Sequence, residues 1–117
     1  MRGALWPWVP VAVWTAGIAA GSLLPGIGAP SGPDVLLHGA AYLGLAWLIR
    51  SALADGSRGG WWRAVVSAAA YGILMEAAQS TVGYRAAQLH DVMANTAGAL
   101  AGALLPPIRW KVRREGR

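Results

Sequence analysis

Asp34, His38 and Tyr42 fall at every fourth position of a stretch that is otherwise apolar and runs on to Ile49. On a helix this spacing stacks the three on one face. Two further pairs follow the same logic: Glu76 and Gln79 at i, i+3, and Asp91 and Asn95 at i, i+4, with Arg85 between the pairs. Such groups could do acid–base chemistry, since a carboxylate beside a histidine trades protons near neutral pH when its surroundings hold back ionisation. Three carboxylates (Asp34, Glu76, Asp91) and one guanidinium (Arg85) sum to a formal −2 with His38 neutral. Crowded carboxylates do not all stay ionised, so a proton, a metal or a cationic substrate must relieve them. No His-Glu-x-x-His or similar signature is present, which makes the metal the weaker fit of the three. No cofactor is required by the sequence, and a divalent cation stays open as an alternative.

These residues sit in a chain of 117 residues, enough for a single domain, 1–117. Hydrophobic residues make up 56% and charged ones 13%, more apolar surface than a water-soluble chain of this size could hide. The bilayer is therefore the expected solvent. The net charge of +5 would suit nucleic acid elsewhere, but here the basic residues flank apolar runs, so nucleic acid is not expected as a partner. Cysteine is absent, which excludes disulfides, thiolate metal sites and thiol nucleophiles.

Four apolar runs predict four helices, at about 6–24, 34–54, 61–80 and 91–108, with short connections and hence antiparallel neighbours. The first begins behind a lone Arg2, as a signal peptide does. It nevertheless lasts about a full membrane span without a clear small-x-small cleavage site, and its Gly17 and Gly21 suit a retained, closely packed helix. Pro25 to Pro33 is a Gly/Pro-rich loop, and Asp34 is a good N-cap for the second helix. The segment from Asp55 to Gly60 is a polar turn, and Pro106 and Pro107 stop the last run.

The basic residues give an orientation. Arg2, Arg50, Arg58, Arg63, Arg109, Lys111, Arg113, Arg114 and Arg117 share one side of a four-span arrangement, and Arg85 alone takes the other. Positive-inside bias then places both termini in the cytoplasm of a multi-pass cell-membrane protein. Trp6, Trp8, Trp47, Trp61, Trp62 and Trp110 lie toward the same inner interface, where tryptophan serves as an anchor. Folded this way, the chain is an all-α, integral membrane four-helix bundle, and its remaining polar groups gather at the outer end as one pocket. Membrane lipid is the first expected partner, and the basic tail can touch anionic headgroups. The sequence leaves homo-oligomerisation open.

The Ser22 to Pro25 end of the first helix, Asp34-x3-His38-x3-Tyr42, Glu76-x2-Gln79, Arg85 and Asp91-x3-Asn95-x2-Gly98 together resemble the VanZ-like membrane protein family. The resemblance covers about Ser22 to Gly102. Val35 stands where members often carry a basic residue after the aspartate. What the resemblance implies is a small helical membrane protein of the cell envelope. The member that names the family is linked to low-level resistance to teicoplanin, a glycopeptide that binds cell-wall precursors. The family supplies no settled biochemical activity.

The candidate catalytic residues are Glu76, His38, Asp91 and Asp34; the candidate substrate-binding residues are Arg85, Tyr42, Gln79 and Asn95. Each has a blander role to weigh. His38 could be a hydrogen-bonded core histidine, Asp34 an N-cap, and Tyr42, Gln79 and Asn95 packing residues. Gly98 and Gly102 are most simply close-packing positions. Glu76 is the exception, because a lone carboxylate within a long apolar span is functional by default. Two kinds of function fit: a membrane enzyme acting on an envelope precursor or lipid-linked molecule, or a non-enzymatic binding or transport module that holds such a ligand or passes protons. A bundle whose polar groups merely fix its packing is the third.

Overall fold

The computed structural model describes residues 5–23, 35–53, 58–79, 81 and 89–109. They form a 3-10 turn at Trp6–Trp8 and four α-helices: α1 (Val9–Leu23), α2 (Val35–Leu53), α3 (Arg58–Gln79) and α4 (Leu89–Leu104), with no strand among the described residues. The all-α, four-helix expectation is met.

The ends differ from the sequence expectation in ways that proline explains. Pro7 opens the 3-10 turn, and Pro10 sits in the first turn of α1, where its missing N–H would have had no helical partner anyway. The last helix ends at Leu104, ahead of the Pro106–Pro107 pair and short of the outer bound of about 108. Leu105 precedes Pro106, whose ring pushes its neighbour out of the helical region. Beyond the helix the chain runs on alongside the end of α2: Trp47 Nε1 donates to Pro106 O at 2.9 Å, and Ile108 N donates to Ser51 Oγ, also at 2.9 Å.

The core is built around α2. Leu45, Ala46, Ala64, Ala68, Ala99 and Ala103 are all but inaccessible, and Tyr42 and Ile49 join them. So many alanines let helix axes come close, most of all between α2 and α4. A Cβ at Gly98 would fall on the Gly39 carbonyl, and one at Gly102 on the Leu43 carbonyl. Backbone therefore meets backbone at two successive turns, the packing small residues permit in apolar surroundings. Gly17 and Gly21 do not share this role: a Cβ at either would meet nothing within 4 Å.

Helix α1 has no buried residue, and it is tied to its neighbours through hydrogen bonds. Trp14 Nε1 donates to Ala41 O at 2.7 Å. Tyr71 Oη donates to Thr15 O at 2.7 Å, and Gln79 Nε2 to Ser22 O at 3.1 Å. The last of these carbonyls belongs to the final turn of α1, which has no helical N–H to receive.

The outside of the bundle is greasy. Val13, Leu36, Leu37, Val66, Ile73, Leu74, Met93 and Leu104 are all exposed, whereas Ser51, Glu76, Gln79 and Asn95 are buried. One described helix, over Leu36–Leu53, is long and apolar enough to cross a membrane, with a mean hydropathy of 1.3. At 1.5 Å per residue, the 15 residues of α1 span roughly 22 Å and the 16 of α4 roughly 24 Å.

Candidate functional site

Three helices converge on one polar cluster. His38 comes from the first turn of α2, Glu76 from the last turn of α3 and Asp91 from the first turn of α4. The sequence separates them by tens of residues. Antiparallel packing brings one donor atom from each within 4.8 Å of the other two. Glu76 is 6% exposed, while His38 and Asp91 are partly accessible, so the cluster has a buried floor and an open rim. Asp91 lies where a helix N-terminus favours negative charge.

The next layer inward holds His38 in place. Its Nδ1 lies 3.1 Å from Asn95 Oδ1. In that pair Nδ1–H donates to the amide oxygen, which leaves Nε2 with its lone pair. Asn95 is 2% exposed and cannot swing away. Room for it is made by Gly72 on α3, where a Cβ would stand 3.1 Å from Asn95 Nδ2 and 3.2 Å from Tyr42 Cε1. Gly72 was not singled out in the sequence, although it lies one helical turn before Glu76.

Tyr42 follows His38 by one turn and is 2% exposed. Its hydroxyl is buried without a hydrogen-bond partner. The Tyr42 and Tyr71 rings pack at a centroid distance of 6.4 Å. An unpaired buried hydroxyl is uncommon and calls for a reason.

Of the eight residues singled out in the sequence, six are brought to one end of the bundle: His38, Tyr42, Glu76, Gln79, Asp91 and Asn95. Within that group Gln79 stands apart, because its amide nitrogen is engaged by the α1 backbone. Asp34 and Arg85 lie outside the described residues. An open apolar groove of about 280 Å³, lined by Trp8, Ile49, Leu53, Trp62, Arg63 and Val66, lies toward the opposite end of α2 from His38 and shares none of these residues.

With this geometry in view, the comparison with known families is decisive. The VanZ/LLP1 family model matches residues 10–110. The chain belongs to the VanZ/LLP1 family. The match spans all four helices, so every member of the polar cluster lies within the region that defines the family. No curated protein and no solved structure matches the chain.

Proposed function

We propose that this VanZ/LLP1 protein is a multi-pass membrane protein with both termini in the cytoplasm, whose polar site opens outward and takes a cell-envelope or lipid-linked substrate. The observation that carries the proposal is an inverted distribution of polarity. Leu36, Ile73, Leu74 and Met93 face outward within about a turn of the cluster, while Glu76, Gln79 and Asn95 are buried. Large apolar side chains spread over every helix suit hydrocarbon better than water. A carboxylate held inside such a bundle costs too much to be kept as filler.

Within the site, Glu76 or Asp91 acts as the base, with His38 as the proton shuttle or acid. Tyr42 and Asn95 orient the ligand and His38 respectively, and Asp34 adds a further carboxylate. Arg85 grips an anionic group of the substrate through its planar two-point fork. Gln79 was expected to help orient the substrate. Its bond to Ser22 O also gives it the task of closing α1 onto α3.

The same residues would serve a module that binds its ligand without turnover. The experiment that separates the two is conversion of a labelled envelope lipid by purified protein, compared with Glu76→Gln. Turnover lost in the variant supports an enzyme. Unchanged ligand with retained, Glu76-dependent binding supports a binder. Ligand binding and turnover that ignore Glu76 would end the proposal. The orientation has its own check: a cysteine at Ser31 should react with an impermeant thiol reagent in intact cells, and one at Ser57 should not. The reverse labelling would turn the site inward.

A further inference from the structure

The geometry points to His38, Glu76 and Asp91 as the protein ligands of a divalent transition-metal ion of the zinc class. This deepens the proposed function by naming what the site holds, and it uses the same three side chains.

Three observations carry it. The first is convergence, since one donor atom from each of three helices lies within 4.8 Å of the others. Bonds of about 2.1 Å around a tetrahedral ion put neighbouring donors about 3.4 Å apart. The cluster is therefore slightly open, and binding an ion would draw the three donors together. The second is the state of His38. A ligating imidazole almost always donates its other ring N–H to a fixed oxygen, which sets the tautomer and aims the lone pair at the metal. With the ion on Nε2, Asn95 Oδ1, at 3.1 Å from Nδ1, would be that oxygen, and Asn95 is buried. The third is the Tyr42 hydroxyl, buried and without a partner one turn inward from His38. It is a ready donor or acceptor for water or substrate oxygen on the ion.

The donor set selects among cations. Magnesium and calcium prefer shells made of oxygen alone, whereas one imidazole with two carboxylates suits zinc or manganese. Two carboxylates that would otherwise repel one another become mutually compatible across a dication. Three protein ligands leave a coordination position open, as in catalytic rather than structural zinc sites. There the ion would polarise an anionic oxygen of the substrate or activate a water. With the ion bound, that water would take over the proton transfer proposed for Glu76 or Asp91 and for His38, since side chains held as ligands cannot also carry protons.

The test uses the full chain, purified without a histidine tag, placed in nanodiscs and stripped with chelator. Titration with Zn²⁺ should give one ion per chain, with Mg²⁺ far weaker. His38→Gln, Glu76→Gln and Asp91→Asn should each lower Zn²⁺ affinity tenfold or more. Asn95→Leu, which removes only the support of the ligand, should lower it by about 10–100-fold. X-ray absorption of the wild-type zinc complex guards against variants that fail to fold. It should show one imidazole with oxygen ligands, lost in His38→Gln and kept in His90→Gln. The inference is overturned by wild-type protein that binds no Zn²⁺ or Mn²⁺, by well-folded variants that bind as wild type does, or by an imidazole signal that follows His90. Its failure is distinguishable from failure of the proposed function. A metal-free wild type whose ligand binding still depends on Glu76 removes the ion and keeps the substrate site. Zinc bound through Glu76 with no effect of Glu76→Gln on substrate does the reverse.

Discussion

Gly98→Ala should damage this protein at two levels, and the structure gives the size of the effect. The new Cβ would lie against the Gly39 peptide of α2, 2.9 Å from its carbonyl carbon and 3.0 Å from its Cα. Carbon atoms settle at about 3.5–4.0 Å, so α2 and α4 must part by at least roughly 0.6 Å. The obstacle is backbone, so no side-chain rotation relieves it. Overpacking of this kind costs about 1–3 kcal/mol. His38 adjoins Gly39, and Asn95 lies one turn before Gly98, so the same parting stretches the 3.1 Å His38–Asn95 contact beyond hydrogen-bonding range. A side-chain hydrogen bond between membrane helices is worth about 0.6 kcal/mol. Alanine's better helix propensity returns up to about 1 kcal/mol. The net loss is then about 1–3 kcal/mol. Gly17→Ala is the matched control, because nothing lies within 4 Å of a Cβ there. That variant should gain up to about 1 kcal/mol from propensity alone. Unfolding in mixed micelles of dodecyl maltoside and sodium dodecyl sulfate, followed by tryptophan fluorescence, measures both. Equal stability of the two variants, or a more stable Gly98→Ala, would refute the backbone contact and with it the link from helix packing to His38.

Tyr42→Phe removes a buried hydroxyl that has no partner, so its stability in the same assay should equal or exceed that of wild type by about 1 kcal/mol. Ligand binding should nevertheless weaken, and a variant that is clearly destabilised would mean the hydroxyl is already hydrogen-bonded. Gln79→Leu leaves Ser22 O in the last turn of α1 without its donor, at a cost of about 1–2 kcal/mol. Because α1 has no buried residue, the loss should appear as faster hydrogen exchange along α1. Unchanged exchange there would show that α1 is held by something other than that bond. Double substitutions among Glu76, His38 and Asp91 should cost scarcely more function than the worse single one, as parts of one unit do; losses that simply add would make them separate contacts.

Much of this was legible in the chain itself, because helix periodicity and apolar composition are local properties. The fourfold spacing of Asp34, His38 and Tyr42, the Glu76–Gln79 and Asp91–Asn95 pairs, and the four apolar runs all follow from 3.6 residues per turn. Antiparallel connection of short-looped helices then places those pairs at one end. The sequence also carried enough to place residues 10–110 in the family.

Tertiary structure decided what spacing cannot express. Gly17–Gly21 and Gly98–Gly102 are the same pattern in sequence, yet only the second pair meets another backbone, because that depends on which face α2 presents. Gln79 and Asn95 look alike as buried amides, but one ends on a carbonyl of α1 and the other on the ring of His38. Gly72 matters only because Asn95 and Tyr42 arrive from two other helices to fill the space it leaves. The convergence of His38, Glu76 and Asp91 is of the same kind. Periodicity gives each side chain an angle about its own axis, and only packing fixes how far one axis lies from the next. Whether polar groups on different helices merely share a level or meet at bonding distance is settled by that separation, here by the small residues that let α2 and α4 touch.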